Sequence, residues 1–313
     1  MTKPVTFREY RPGDEAAILE LFRIVYDREM SLQAWQWRFQ QSPGGPGVIE
    51  LAFDGDKLVG HYAVTSIRLA HRGEVRLSGL SGTTMTHPDA RGAGLFTDLA
   101  KRAYERMRAQ GAACVWGFPN SNSHRGFIRS LGWSDIHEIP FFTLELGSGP
   151  EVGAGRHVEP LRDVEGLDDL WARCVGQHDW SVVRDAAYVR WRFLTHPGQA
   201  YTLHSLRDDS GLLGYVVVKE YGASLQIVDV LAAATADAVD LVKHVIGVAR
   251  ASGKTRVDLW LTLTSPLHHE LERLGFRPGG PVTYFGAAPL ALACEGIFEP
   301  GRWRYAMSDS DVF

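Results

Sequence analysis

The sequence predicts a mixed α/β fold, a mixed sheet with helices on its faces, and three observations support this prediction. Strand-like and helix-like segments alternate along the 313 residues. A glycine-rich loop separates one strand from a long helix, and short segments of the first half return in the second half. Alternating elements of this kind are typical of helices packed on a sheet.

The first half predicts elements in the order β-α-α-β-β-β-α-β-α-β. VTFREY alternates like a strand, and Asp14 is expected to cap a helix with one apolar face. A short second helix carries Trp35 to Phe39. VIELAF, the turn DGD and KLVGHYAVTSI predict a hairpin, and VRLSGLSGTTMT predicts the next strand.

A long helix is expected from Gly94 to Gln110, because Gly111 then supplies the glycine that commonly follows a helix. ACVWGF is an apolar run typical of a short buried strand. NSHRGFIRSL predicts a helix that ends before Gly132, and IPFFTLEL predicts the last strand.

The second half repeats anchors of the first. Three of them recur 154 residues later: Trp37 as Trp191, Pro43 as Pro197, and Gly60 as Gly214. Gly132 recurs as Gly275 at the smaller offset of 143, so the second copy is shorter. The stretch GSGPEVGAG, residues 147–155, is typical of a linker. We therefore predict domains at 1–147 and 156–288, followed by a tail at 289–313.

Composition narrows the class of protein. Apolar residues make up 45% and charged residues 22%, as in a folded globular chain, and the net charge is −4. Without a basic run or a long apolar run, neither a nucleic acid nor a membrane is an expected partner. Three cysteines without a CxxC pair argue against disulfides and structural zinc, so we expect a cytoplasmic protein.

The loop HPDARGAGLF, residues 87–96, is the candidate binding site. Gly92 and Gly94 let the backbone turn and approach a ligand closely. The following helix begins with free N–H groups and a positive dipole end, which suits a phosphate or pyrophosphate, and Arg91 adds a charge. The alternative is a glycine-rich turn with nothing bound. A P-loop would need Gly-Lys-Ser/Thr where this loop ends Gly-Leu-Phe.

The element order, with THPDARGAGLFTDLAKRAYERMRAQG and GFPNSNSHRGFIRSLGW, resembles the Gcn5-related N-acetyltransferase (GNAT) family, and the duplication resembles its tandem-domain subgroup. Asp89 departs from the longer family pattern, which has a basic or amide residue three positions before Gly92. The resemblance covers residues 4–146 and extends weakly to 288. It implies two tandem GNAT-like acyl-CoA N-acyltransferase domains, the second degenerate, with acetyl-CoA as the cosubstrate.

The resemblance also implies roles for individual residues. Backbone amides of the loop would hold the pyrophosphate, the end of the preceding strand would pair with the pantetheine amides, and a later asparagine would contact the pantetheine arm or orient the thioester. The residues concerned are Arg91, Gly92, Ala93, Gly94, Leu95 and Phe96 for the loop, Thr84, Met85 and Thr86 for the strand, and Asn120 or Asn122.

The sequence defines the general acid and the general base of acyl transfer less clearly than the residues that would bind the cosubstrate. The family often has a tyrosine four residues before the helix-ending glycine, and Ile128 stands there. Since a CoA thiol is a fair leaving group, transfer without that acid is conceivable. The candidate bases are His61, His87, Asp135, His137 and Glu138, of which His137 and Glu138 are favoured because they follow the Gly132 turn. With no plausible Cys or Ser nucleophile, direct attack in a ternary complex is expected.

The second copy lacks the loop. It has LAAATADAVDLV there, in which Asp237 suits a helix cap and disfavours pyrophosphate. This copy is expected to build the acceptor pocket, hold the open edge of the first copy or form a homodimer interface. His268 and His269 are adjacent and make a poor metal pair, so no metal is expected. In the tail, Trp303 and Tyr305 are either frayed or docked.

The predicted function is transfer of an acetyl or other acyl group from its CoA thioester to a primary amine of a small molecule. Two alternatives remain open: a non-catalytic acyl-CoA-binding regulatory protein, and an aminoacyl-tRNA-dependent transferase, which the net charge of −4 disfavours.

Overall fold

The structure is a computed structural model, and it describes residues 5–147, 153, 155–292 and 294–310. Most of the predicted linker, residues 148–152 and 154, lies outside the described residues. The chain divides into two compact units, and neither is one continuous segment. The first contains Met1–Leu69, Arg76–His137 and Tyr284–Phe298, and the second contains Ala70–Val75, Glu138–Thr283 and Glu299–Phe313.

The elements of the first half confirm the predicted order. They are β1 (Thr6–Glu9), α1 (Glu15–Tyr26), α2 (Leu32–Phe39), β2 (Val48–Asp54), β3 (Lys57–His71), β4 (Glu74–Thr86), α3 (Leu95–Ala109), β5 (Cys114–Gly117), α4 (His124–Ser130) and β6 (Ser134–Glu145). Within the first unit the strands lie in the order β1-β2-β3-β4-β5, and the ladder between β4 and β5 is parallel.

The second half shows the same succession of elements with two added strands, β8 (Trp180–Val182) and β14 (Trp303–Arg304). Its elements are β7 (Glu159–Pro160), α5 (Leu167–Cys174), β8 (Trp180–Val182), α6 (Ala186–Val189), β9 (Thr202–Asp208), β10 (Gly211–Tyr221), β11 (Ser224–Ala232), α7 (Thr235–Ala251), β12 (Arg256–Leu259), α8 (Pro266–Arg273), β13 (Arg277–Pro289) and β14 (Trp303–Arg304). Within the second unit the order is β12-β11-β10-β9-β7, and β14 pairs with β8. The mixed α/β class is therefore confirmed.

Each unit takes one strand segment from the opposite half of the sequence. In the first unit, Gly286–Pro289 of β13 pairs antiparallel with β5. In the second unit, Phe142–Glu145 of β6 pairs antiparallel with β12. The division predicted from the repeat, 1–147 and 156–288, stays a prediction.

The expected cap at α1 is wrong in its chemistry. Asp14 precedes the helix but has helical dihedral angles, and its side chain makes no capping hydrogen bond. Its carboxylate instead accepts two hydrogen bonds of 2.7 Å from the Arg8 guanidinium on β1. A charged bidentate partner competes well with a backbone N–H for a carboxylate. Ser31, by contrast, does cap α2, since its side chain accepts from Ala34 N.

Helix α3 lies close to β3 because two positions beneath it are glycines. A Cβ on Gly60 would come within 2.9 Å of Leu99, and one on Gly79 would come within 2.2 Å of Val64 and 3.1 Å of Met107. The distances to Leu99 and Val64 are shorter than packed carbon atoms tolerate, and the distance to Met107 is tight. The two glycines therefore set the depth at which α3 packs on the sheet.

The tail is docked rather than frayed. Trp303 is 1% exposed and Tyr305 is 4% exposed. The hydroxyl of Thr262 donates to Trp303 O at 2.7 Å, and the Tyr305 hydroxyl donates to Leu261 O at 3.2 Å. Among the described residues, no helix has the length and apolar character needed to cross a membrane.

A buried ionic cluster joins the tail to the rest of the second unit. The Arg184 guanidinium donates to Asp229 at 3.2 Å and to Asp309 at 2.6 Å, and all three side chains are almost fully buried. Arg304 donates to the other oxygen of Asp229 at 2.6 Å. Burial raises the pKa of Asp229, but Arg184 and Arg304 outweigh it and hold the value at about 2. Removing one partner would leave a buried charge uncompensated.

We expect Arg184→Met to reduce the free energy of unfolding by about 3–5 kcal/mol, because Asp229 and Asp309 would remain buried without it. Denaturant unfolding measures this. The control is Arg23→Met, which breaks the pair between Arg23 and Glu20, two side chains that are each 55% exposed. An Arg184→Met midpoint as little changed as that of the control would contradict this account.

Candidate functional site

The loop before α3 exposes a row of backbone N–H groups. Gly92 and Gly94 have φ angles of 82° and 77°, which glycine adopts without strain. Gly94 is the N-cap of α3, and its carbonyl accepts from Thr97 N and Asp98 N. Within the described part of the chain, the amides of Gly92 to Phe96 have no hydrogen-bond acceptor. Five successive donors thus lie at the positive end of a 15-residue helix.

The two residues after the loop fix its position. Leu95 is buried against β3 and Phe96 packs on Tyr62 and Phe127, with ring centroids 5.9 and 5.2 Å away. The positions from Arg91 to Gly94 remain exposed. This explains the Gly-Leu-Phe ending, because the apolar pair anchors the helix start while the amides stay accessible.

Charged side chains near the loop favour an anion. Arg91 is exposed and has no ion-pair partner in the described ranges. Asp89, which departs from the family pattern, lies 3.3 Å from Lys57 Nζ, so its charge is partly compensated. A helix N-terminus with a free guanidinium beside it is a suitable environment for phosphate groups.

Strand β4 continues beyond its parallel partner. The ladder joins Gly79 to Val115 and Leu80 to Trp116, and β5 ends at Gly117 while β4 continues to Thr86. Thr84 and Thr86 are half-buried, and Met85 points into the core beside α1 and α2. The hydroxyl of Tyr26 donates to Thr84 O at 3.0 Å. β4 thus extends beyond its parallel ladder with β5, and the binding role expected for Thr84–Thr86 stays a prediction.

Thr83, shortly after the end of the β4–β5 ladder, has a strained backbone conformation. Thr83 has a φ of 55°, in the left-handed region that costs a non-glycine residue about 1–2 kcal/mol. Its carbonyl accepts from His61 Nδ1 at 2.8 Å, so the N–H of that imidazole is fixed on Nδ1. His61 is 1% exposed. Burial, as the main cause, lowers its pKa from 6.5 to about 4.

Asn120 stabilises the turn into α4. Its side-chain carbonyl accepts from the backbone N–H groups of Asn122 and Ser123, at 3.0 and 3.1 Å. Its main-chain carbonyl accepts from His124 N. Both asparagines are exposed beyond the end of β5. The side-chain amide group of Asn120 remains available as a donor toward a ligand.

The two favoured base candidates are consecutive on β6. His137 is half-buried and Glu138 is exposed. Because consecutive side chains of a strand point to opposite faces, the two cannot line one pocket together. His87, another candidate, is buried, and its Nδ1 accepts from Asp89 N at 3.2 Å, which fits a turn residue better than a base.

Sequence reasoning missed His124 as the partner of Asp135. His124 Nε2 lies 2.8 Å from Asp135 Oδ1, and its ring stacks on Tyr284 with centroids 4.0 Å apart. This His124–Asp135 pair is partly exposed. His124 begins α4 and Ile128 lies four residues further, so both share one face of that helix. The HRGF start of the helix was the available signal. The two partners of His124 lie outside that helix, Asp135 11 residues further on and Tyr284 in the other half of the chain.

The second unit presents a different helix start. Ala234 precedes α7 in an extended conformation, and Asp237 makes no cap. The expected cap is wrong because Asp237 lies within the first turn of the helix, where the Arg156 guanidinium donates to it. Arg156 also donates to Asp240 at 2.6 Å. Two carboxylates near the helix start, together with the loss of both glycines, disfavour a phosphate here.

One cluster among the described residues brings possible metal-ligand atoms within 4.8 Å of one another: His268, His269 and Glu272. His268 stacks on Phe142 at 4.7 Å. Arg273 and Arg277 line the same surface. Two guanidinium groups disfavour a cation, and the expectation that these histidines hold no metal stays a prediction.

His61→Gln tests whether His61 is held neutral in the folded chain. Its folded pKa lies below the unfolded one, so its stabilising effect is complete above pH 6.5 and is lost as the pH falls toward 4. We expect the unfolding free energy of the native protein to fall over this range by up to about 3 kcal/mol more than that of the variant. Denaturant unfolding at a series of pH values measures it, and parallel curves would contradict it.

Comparison with known proteins gives a family for the first half. Residues 6–136 match the family model of the acetyltransferase (GNAT) domain. A search of curated protein sequences finds no match to the chain.

Solved structures extend the likeness to nearly the whole chain. One is a conserved protein of unknown function from Enterococcus faecalis V583, described as a probable N-acyltransferase, at 13% identity and a TM-score of 0.74, covering 92% of this chain and 73% of the other. A GCN5-related N-acetyltransferase from Anabaena variabilis ATCC 29413 is similar at 12% identity and a TM-score of 0.73, with 92% of this chain and 74% of the other covered.

A GCN5-related N-acetyltransferase from Kribbella flavida is similar at 16% identity and a TM-score of 0.70, with 91% of this chain and 71% of the other covered. At such identities the likeness concerns the fold alone. Residues 6–136 therefore match a GNAT acetyltransferase domain, and the chain as a whole shares the fold of these proteins.

Proposed function

We propose that the protein transfers an acetyl group from acetyl-CoA to a primary amine of a small molecule. The observation that carries this proposal is the row of five unpaired amides from Gly92 to Phe96, beside the free Arg91, in a domain that matches the GNAT acetyltransferases. Such donors at a helix N-terminus suit the pyrophosphate of coenzyme A. Acetyl-CoA supplies the activated acyl group, and the chain binds and orients it.

The residues around the loop fit the rest of the cofactor. β4 continues from Gly82 to Thr86 beyond the end of β5, and the backbone groups of this segment that are not bonded to His61 or Tyr26 are proposed to pair with the pantetheine amides. Asn120 offers its side-chain amide group from the loop that follows β5. Leu95 and Phe96 hold the helix start in place, so binding does not have to order it.

The chemistry needs two proton transfers. A neutral amine attacks the thioester carbonyl, its nitrogen gives up a proton to a base, the C–S bond breaks, and the departing sulfur takes a proton. In the His124–Asp135 pair the carboxylate binds Nε2, which leaves Nδ1 of the imidazole for a substrate. We propose His124 for protonation of the sulfur, since it shares the α4 face of Ile128. We propose His137 or Glu138 as the base that takes the proton from the amine. Because the two side chains point to opposite faces of β6, only one of them can serve.

The second half is proposed as a degenerate GNAT-like copy. It repeats the element order, and its helix start carries Asp237 and Asp240 in place of the glycine loop. Acyl-CoA binding is then confined to the first copy. One alternative function follows from Ile128: with no tyrosine at that position, the chain could bind acyl-CoA as a sensor without turnover.

We expect Gly92→Asp to abolish CoA binding, because a carboxylate would face the pyrophosphate. Gly111→Asp is a matched control at the opposite end of α3, since Gly92 and Gly111 have φ angles of 82° and 79° and open space around each. Both variants carry the same backbone strain, but only Gly92→Asp places a charge at the loop. Calorimetric titration with CoA measures the effect. Equal affinities of the two variants would refute the assignment of the loop.

We expect His124→Gln to lower kcat by about 10²-fold or more, with CoA affinity unchanged, if His124 protonates the sulfur. Asp135→Asn should also lower kcat, because a neutral amide holds the His124 ring less firmly than the carboxylate does. The matched control is His269→Gln, which changes an exposed histidine of the second unit. Native CoA binding without turnover on any amine would support the sensor instead, and unchanged kcat in His124→Gln would exclude the assigned role.

A further inference from the structure

A chain of hydrogen bonds in the first unit runs beneath α3 to the end of the β4–β5 ladder. Trp133 Nε1 donates to the Tyr104 hydroxyl at 2.7 Å, and the hydroxyls of Tyr104 and Tyr62 lie 2.9 Å apart. The Tyr62 hydroxyl in turn lies 2.8 Å from Ser81 Oγ. All four side chains are buried, and Ser81 is the most exposed of these residues at 8%.

The number of hydrogens fixes the direction of this chain. An indole N–H can only donate, so the Tyr104 oxygen accepts from Trp133. If Ser81 donated to Tyr62, one of the two tyrosine hydrogens would be buried without an acceptor among the described residues. Such a donor costs about 1–3 kcal/mol. The favoured arrangement therefore has Tyr104 donating to Tyr62 and Tyr62 donating to Ser81.

The two tyrosines keep their hydrogens near neutral pH. Burial is the main cause that raises the pKa of both Tyr62 and Tyr104 above the usual 10.0. Each hydroxyl in the row also polarises the next one, which makes the last hydroxyl a stronger donor. Tyr62 and Tyr104 thus act as fixed donors toward Ser81.

The hydrogen of Ser81 itself is left over. Its oxygen accepts from Tyr62, and its own O–H has no acceptor among the described residues. Ser81 directly follows Leu80, the last residue of β4 in the ladder with β5. Across the strands, a Cβ on Gly117 would lie 3.0 Å from Ser81 O and 3.5 Å from Trp133. Because Gly117 has no side chain, β5 does not cover the serine on the face of Trp133.

Ser81 lies on the same face of the sheet as the glycine loop. Phe96, in the first turn of α3, packs on Tyr62 with ring centroids 5.9 Å apart, and Tyr62 is bonded to Ser81. The pantetheine arm is proposed to follow Gly82–Thr86 from the loop toward the ladder. An arm with that path brings its thioester end to Ser81, where a hydroxyl donor is waiting for an acceptor.

We propose that Ser81 is a catalytic residue that donates a hydrogen bond to the carbonyl oxygen of the thioester, an inference that rests on the proposed acetyl transfer. As the amine nitrogen bonds to the carbonyl carbon, an electron pair of the C=O bond moves to the oxygen. Ser81 stabilises that charge and keeps its own proton. When the C–S bond breaks, the carbonyl re-forms, and the proton transfers at nitrogen and sulfur are those assigned above.

A pair of serine variants on β4 tests the effect on turnover. We expect Ser81→Ala to lower kcat by about 10²-fold or more, while the KM for acetyl-CoA changes by about 5-fold at most, because the bond strengthens in the transition state. The matched control is Ser78→Ala. Ser78 is buried on the same strand, but its hydroxyl is satisfied within the chain, donating to Ile67 O and accepting from Trp116 Nε1. We expect this variant to keep its kcat.

Two unreactive analogues of acetyl-CoA test the hydrogen bond itself. One is the ketone in which a methylene group replaces the sulfur, and the other is S-ethyl-CoA, a thioether without the carbonyl oxygen. We expect Ser81→Ala to bind the ketone about 5-fold more weakly than the native chain does and the thioether equally well. Calorimetric titration measures both affinities. If Ser81→Ala does not fold, Ser81→Cys takes its place, since a thiol is a weaker donor of similar shape.

The outcomes separate this inference from the proposed function. Native kcat in Ser81→Ala, or equal changes in affinity for the two analogues, would overturn the role of Ser81 and leave acetyl transfer in place. A native chain that binds neither analogue, or that acetylates no amine, would refute the proposed transfer and the catalytic role together.

Discussion

The close approach of α3 to β3 is the constraint on which the candidate site depends. Gly60 and Gly79 remove the side chains that would hold the helix away, and Leu95 and Phe96 then fix its first turn. Only a helix held at that depth can place its first amides beside the free end of β4. The glycines of the loop would achieve little alone, because flexible amides would have to be ordered by the ligand.

Each unit has a parallel ladder that ends before one of its two strands does, and different groups lie at that point in the two units. In each unit a parallel ladder ends early while the other strand continues, after Leu80 in the first and after Ile227 in the second. The first unit leaves its strand end beside an anion-favouring loop. The second unit bonds the tail across its divergence through Arg304 and Tyr305. The same arrangement of strands thus carries different groups at its edge in the two units.

Local features were predictable from the sequence, and contacts between distant residues were not. The order of elements in the first half, the helix end at Gly111 and the exposed loop all follow from local periodicity and glycine placement. The Asp14 cap failed because Arg8, on another element, competes for the carboxylate. The surroundings of His124 could not be predicted from the nearby sequence, because its ring stacks on Tyr284, which lies in the other half of the chain. The proposed binding roles of Thr84–Thr86 and Asn120 stay predictions.

The repeat in the sequence and the compact units of the structure have different bounds. β5 is buried along its whole length, and its ladder with Gly286–Pro289 supplies one of its two neighbours. The segment 1–147 alone would expose that edge of an apolar strand, which is a recognised hazard for aggregation. The first compact unit therefore requires residues from the end of the second repeat. The unit that carries the candidate site thus includes residues near 286, far outside the GNAT match at 6–136.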